Sequence, residues 1–87
     1  MQSKVIVITG SSSGVGLTLA NYFHDKGHTV YGLSRTAKGQ EKFKHIPTDV
    51  SDKENVQRTF QQILSETNNQ IDVLINNAGI GMLGAVE

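Results

Sequence analysis

The sequence predicts an α/β fold, a parallel sheet with helices on its faces, and three observations carry that expectation. Short β-branched or apolar runs alternate with segments whose apolar residues recur at helical spacing. The first run is apolar without alternation, as a strand buried on both faces requires. A glycine- and serine-rich turn joins it directly to the first amphipathic segment. The order along the chain is β-α-β-β-α-β, in one domain over residues 1–87, with no internal repeat and no low-complexity stretch.

Residues 4–9 form a β-branched run suited to the centre of a sheet. Residues 10–16 supply the turn. Beyond it Val15, Leu19 and Phe23 fall at i, i+4 and i+8 with Ala20 beside them, a stripe expected to face the sheet, and Gly27 is the expected helix stop. Thr29–Ser34 reads as the second strand and the polar stretch 35–44 as a loop or frayed turn. Residues 45–48 make a weak third strand, which Pro47 assigns to an edge because proline donates no ladder hydrogen bond. Ser51 and Glu54 have capping-box spacing, Ser at the N-cap and Glu at N3, opening a helix with Val56, Phe60, Ile63 and Leu64 on one face. The polar residues 68–70 end it. Residues 71–75 then form a fourth strand leading into Asn76-Asn77-Ala78-Gly79.

With 87 residues and no cysteine, the chain makes one small domain with a thin margin of stability, because it buries only about 60 to 65 per cent of its unfolded surface. Eight basic side chains balance eight acidic ones, which argues against a long-range electrostatic pull toward nucleic acid or an anionic membrane. The longest apolar run, residues 5–8, is far short of the roughly 18 residues of a membrane span, and no signal peptide is evident. A soluble, cytoplasmic protein is expected, and the lack of cysteine accords with a reducing compartment.

The turn Gly10-Ser11-Ser12-Ser13-Gly14-Val15-Gly16 lies where free backbone N–H groups and the helix dipole face an anion, so a phosphate group fits. Gly10 permits the tight turn, a side chain at Gly14 would crowd a pyrophosphate, and Gly16 lets helix and strand approach closely. Serines 11 to 13 add hydroxyl donors, with Ser12, Ser13 and Val15 counted among the residues around the ligand. The alternative is an ordinary strand-to-helix loop of small residues.

The pattern Thr9-Gly10-x-x-x-Gly14-x-Gly16, with Asp49-Val50 after the third strand and Asn76-Asn77-Ala78-Gly79 after the fourth, resembles the short-chain dehydrogenase/reductase family along essentially all 87 residues. The resemblance implies a Rossmann-like sheet of strand order 3-2-1-4 that binds a nicotinamide dinucleotide. It implies that Asp49, followed by Val50, contacts the adenine ring. It also implies that the segment holding Asn76, Ala78 and Gly79 supports the sheet and touches the adenosine ribose. Taken alone, Asp49 reads as a turn residue and Asn76 and Asn77 as a loop.

The residue about 20 positions past the glycines meets the ribose 2′ position. No Asp or Glu occurs between His28 and Gln40, and the second strand ends in Ser34 followed by Arg35. A guanidinium pairs with a phosphate where a carboxylate would repel it, so NADP is favoured over NAD. The alternative is that Arg35 is a solvated loop cation with Lys38 nearby.

Three other patterns are rejected. Gly79-x-Gly81-x-x-Gly84 matches GxGxxG, but only three residues follow it and no helix can open there. Tyr22 and Lys26 have Tyr-x-x-x-Lys spacing but lie about 9 and 15 Å along the helix from Gly16, away from the phosphate end. His24 and His28 are separated by the helix-breaking Gly27 and find no third metal ligand.

In the family the catalytic serine, tyrosine and lysine follow the asparagine segment, so the resemblance gives these 87 residues no catalytic role. The expectation is the NADP(H)-binding portion of a truncated oxidoreductase, inactive alone; the alternative is a non-catalytic dinucleotide-binding or self-association fragment. The fourth strand, without charge or proline between Val73 and Ile75, is expected to pair with a second copy or a complementary fragment.

Overall fold

The structure, a computed structural model, describes residues 3–11, 14–37, 39 and 41–77. Its elements are β1 (Val5–Thr9), α1 (Gly14–Asp25), β2 (Thr29–Ser34), β3 (Lys44–Pro47), α2 (Lys53–Glu66) and β4 (Val73–Asn76). All strand pairs are parallel and the sheet runs β3-β2-β1-β4, the Rossmann-like order that the family resemblance implies.

Every residue of β1 is buried, because the strand is paired on both sides and covered on both faces. Alternate side chains go to opposite faces. Val5 and Val7 join Tyr31, Leu33, Ile46 and Ile63 of α2, with Phe60 and Ile71 packed against them. Ile6 and Ile8 join Val30, Phe43 and Ala20 of α1, with Leu17, Leu19, Phe23 and Ile75 alongside. Burying each such aliphatic side chain contributes about 1.5 to 3 kcal/mol, so β1 is the central stabilising strand of the domain.

Leu19 and Phe23 pack on the sheet as predicted, but Val15 is 67 % exposed. The buried residues of α1 are Gly16 and Ala20. The seam therefore begins on a glycine one position later, where helix backbone and strand backbone come closest. Gly27, at φ 93°, closes α1. Its N–H donates to the His24 carbonyl at 3.0 Å and the His28 N–H to the Phe23 carbonyl at 3.2 Å, the two bonds of a Schellman cap.

The cap of α2 differs from the prediction. Asp52, not Ser51, is the N-cap, and its carboxylate accepts from the N–H groups of Glu54 and Asn55 at 3.1 and 3.3 Å. Ser51 is taken by the preceding turn, where its N–H and hydroxyl both donate to Asp49 Oδ1, at 3.0 and 2.6 Å. A carboxylate at the N-cap also complements the helix dipole. On the predicted face, Ile63 is buried and Phe60 packs against the core, whereas Val56 and Leu64 are half-buried. Thr59, also buried, bonds the Thr48 hydroxyl at 2.9 Å.

Pro47 does lie on an edge strand, opposite Ser34, and β3 is shifted one residue earlier than predicted. β4 starts two residues later than predicted, after the left-handed Asn68 and Asn69. Asp72, just before it, exchanges two bonds with Val5: the Val5 N–H donates to Asp72 Oδ2 at 2.7 Å and the Asp72 N–H to the Val5 carbonyl at 2.8 Å.

Candidate functional site

A parallel sheet brings the carboxyl ends of all its strands to one edge, and ligands of open α/β sheets bind outside that edge where the strand order reverses. In this chain the reversal falls at β1, whose neighbours are β2 and β4. The glycine turn leaves β1 at that point.

The turn has two contrasting sides. A Cβ built on Gly16 would sit 2.2 Å from the Gly10 carbonyl oxygen and 2.6 Å from Asn77 Nδ2, so only glycine fits. A Cβ built on Gly14, at φ +58°, would meet nothing within 4 Å among the described residues. Among the described residues the inner side is closed by backbone and the outer side is open, at the N-terminus of α1, the end of a helix whose first N–H groups and dipole favour an anion. The exposure of Val15 belongs to this open side. Gly10, at φ 69°, makes the bend itself, and its N–H donates to the Leu33 carbonyl at 2.8 Å. An open cradle beside a glycine that tolerates no side chain fits a dinucleotide's diphosphate.

Ser11 does not supply the hydroxyl donor that the sequence suggests. It is fully buried, and a Cβ on Gly32 would meet its Oγ at 2.4 Å, so the hydroxyl lies against β2. Among the described residues that oxygen has no hydrogen-bond partner. Ser12, Ser13, Ala78 and Gly79 of the predicted site, with Lys38 and the 79–84 glycine pattern, lie outside the described residues.

The two asparagines brace the turn from β4. Thr9 Oγ1 donates to Asn76 Oδ1 at 3.0 Å, and Asn77 Nδ2 donates to the Gly10 carbonyl at 3.1 Å. Asn77 is a site residue that the sequence reading passed over. Its signal was present: two adjacent asparagines leaving a strand project to opposite sides, so each serves a different partner.

Beyond β2 and β3 the charged residues meet. The Arg35 side chain is 76 % exposed, with Nε 3.8 Å from Asp49 Oδ1. It is a surface cation, and its described neighbour is an acid. The Ser51 hydroxyl and N–H hold the Asp49 carboxyl below the usual carboxylate range, with Arg35 adding a smaller pull, so Asp49 is ionised at neutral pH. Asn55 fixes its backbone by accepting the Asp49 N–H at 2.7 Å, and Val50, next along, is half-buried. Ser34 is 8 % exposed; its hydroxyl donates to the Thr36 carbonyl at 3.1 Å and lies 2.7 Å from His45 Nε2. His45 is a second residue that the sequence reading missed, because a lone histidine on a short strand carries no motif.

The rejected patterns lie elsewhere. Tyr22 is exposed at the far half of α1, with Lys26 Nζ 5.3 Å from its ring centroid. His28 Nδ1 accepts the Lys4 N–H at 3.0 Å, and among the described residues no three acidic or histidine side chains could hold a metal ion. No helix among the described residues is long and apolar enough to cross a membrane.

Comparison with known proteins agrees with this geometry. The family model described as short chain dehydrogenase matches residues 4–87. A 3-ketodihydrosphingosine reductase of Bacteroides thetaiotaomicron is 43 % identical over 88 residues, covering all of this chain and 32 % of that protein. Among solved structures, the ligand-free aldohexose dehydrogenase of Thermoplasma acidophilum superposes with a TM-score of 0.82 at 37 % identity, over 87 % of this chain and 29 % of its own. A short chain dehydrogenase of Leptospira borgpetersenii with bound NAD+ gives 0.72 at 25 % identity, over 86 % and 31 %. The chain thus spans about a third of the length of the relatives it matches.

Proposed function

We propose, from the premise that this chain belongs to the short chain dehydrogenase family, that it forms the NADP(H)-binding part of an oxidoreductase acting between an alcohol and a carbonyl. The observation that carries the reading is the two-sided glycine turn, closed at Gly16 and open at Gly14. Main-chain amides beside residues 10–16 would receive the diphosphate, with Ser12 and Ser13 adding hydroxyls. Asp49 and Val50 would flank the adenine. Asn76, Ala78 and Gly79 would line the adenosine ribose, Asn76 while accepting from Thr9. When bound, the dinucleotide supplies the hydride. The protein's contribution on this side of the reaction is to bind and orient it; no proton-delivering residue is assigned within these 87.

The preference for NADP rests on Ser34 and Arg35. No carboxylate occupies the end of β2, and the exposed Arg35 guanidinium can turn from Asp49 to a 2′-phosphate, a dianionic and bidentate partner. Calorimetry with NADPH and NADH tests both levels. Binding of NADPH tighter than NADH is expected, and Arg35→Asp should reverse the order; the absence of heat with either cofactor overturns the reading.

The β4 edge favours a further reading, association with a second copy or a complementary segment. Val73 and Leu74 are 36 % and 54 % exposed, and β4 is paired on one side only among the described residues. A monomer by sedimentation at high concentration overturns it. A cytoplasmic location belongs to the same proposal, in keeping with a sequence free of cysteine.

A further inference from the structure

Where β2 ends, two polar groups converge on one hydroxyl. Ser34 Oγ lies 3.1 Å from the carbonyl oxygen of Thr36 and 2.7 Å from His45 Nε2. The hydroxyl carries a single proton, and a carbonyl can only accept. If that proton went to a bare Nε2, Ser34 Oγ and Thr36 O would face each other as two acceptors with no hydrogen between them. One assignment satisfies all three atoms: Nε2–H of His45 donates to Ser34 Oγ, whose own proton goes to the Thr36 carbonyl. Ser34 is almost wholly buried and His45 half-buried, so the bond between them is partly shielded from water, while Thr36 at the other end of the chain is exposed.

This two-bond chain closes the turn over residues 34–36, and Arg35 is its middle residue. The side chain of Arg35 is largely solvated and its contact with Asp49 is a long one for an ion pair; on its N-terminal side the Thr48 N–H holds the Ser34 carbonyl at 2.8 Å, and beyond that the turn depends on the Ser34 hydroxyl. The direction in which the guanidinium leaves the protein is therefore set by the backbone beneath it. His45 reaches that backbone from a different strand, β3, whose pairing with β2 puts His45 opposite Gly32 and Pro47 opposite Ser34. Histidine and serine thus lie on one face of the sheet, two register positions apart.

We propose that His45 is a positioning residue for Arg35: by donating Nε2–H to Ser34 it fixes the 34–36 turn and so pre-organises the site for a phosphate on the adenosine 2′ position. The inference rests on the reading of Arg35 as the 2′-phosphate contact. A ligand that bonds an exposed arginine must restrain it, and a backbone already held in place lowers that cost. A ligand without the 2′-phosphate does not engage Arg35 in this way and is indifferent to His45.

The test uses two probes that differ only in that group, adenosine 2′,5′-bisphosphate and adenosine 5′-monophosphate, measured by calorimetry on the whole chain. The wild type should bind the bisphosphate more tightly. His45→Leu should reduce this preference roughly fivefold, the worth of one ordinary hydrogen bond, while binding the monophosphate as before. His45→Gln, whose amide N–H can take the place of Nε2–H, should restore it. Equal affinity of the wild type for both probes overturns the reading of Arg35 and this proposal with it. A preference retained in His45→Leu, an equal loss of both probes, or a failure of His45→Gln to restore the preference overturns the proposal alone. Nitrogen NMR of the wild type supplies a check that needs no variant: a proton on Nε2 is expected, and a bare Nε2 overturns the assignment.

Discussion

The sheet ends in two strands of four residues, β3 and β4, and they are finished in opposite ways. β3 is tied down at every position. Lys44 Nζ bonds Glu66 Oε1 at 2.7 Å, and the Tyr31 hydroxyl donates to the same oxygen at 3.0 Å. His45 holds Ser34, Ile46 is buried in the core, and Pro47 has no N–H to offer a further strand. Among the described residues β4 has none of these devices. Its outer residues are apolar and exposed, and its polar bonds are gathered at the two ends, through Asp72 to Val5 and through Asn76 and Asn77 to the glycine turn. One edge is built to stop the sheet. The other braces the glycine turn and, among the described residues, has no strand on its outer flank.

Ile46→Ala should give the largest effect, destabilising the domain by about 2 to 4 kcal/mol in urea denaturation, because its side chain is sealed between Leu33, Tyr31 and Ile63. A loss under about 1 kcal/mol would mean that β3 is less committed to the core than its burial implies. Leu74→Lys should come next, abolishing association through β4 and shifting sedimentation to the monomer at all concentrations, as charges on edge strands do. Acid should then loosen the β3 edge. Hydrogen bonds from Lys44, Gln62 and Tyr31 lower the Glu66 pKa in the folded state, so its stabilisation is present above the unfolded value near 4.5 and is lost as pH falls through the folded one. Glu66→Gln should flatten that part of the stability profile. In alkali the same edge weakens again. Tyr31, raised chiefly by burial, and Lys44, raised by its bond to Glu66, give stability that is present below their unfolded values near 10 and 10.5 and is lost above the raised ones. Leu74→Ala should be the smallest change, within about 0.5 kcal/mol for the monomer, and a larger cost would show that β4's flank is covered in solution.

The strand β1 was legible because a strand buried on both faces needs an apolar run without alternation, which Val5–Ile8 supplies. The glycine turn was legible for a similar reason, since its spacing answers to backbone geometry rather than to side-chain choice. The cap of α2 was not. Ser51 and Asp52 are both good N-caps, and the choice fell to Asp49, which had already claimed Ser51. Val15 fitted the helical stripe, yet a stripe does not say where close backbone contact will replace side-chain packing. The bracing roles of Asn77 and His45 depend on partners 67 and 11 residues distant, which no local pattern encodes.

The bonds from β4 to the first strand and its turn, Val5 with Asp72, Thr9 with Asn76 and Gly10 with Asn77, each bridge 67 residues. Closing so long a span carries the highest entropic cost of any pairing in the molecule, and it comes late in assembly. The hollow beside the glycines is therefore expected to acquire its final shape late in folding and to lose it early on warming. Amide exchange at β4 should outrun that at β1 and β2, and a ligand seated in the hollow should slow it, coupling occupancy to the completion of the sheet.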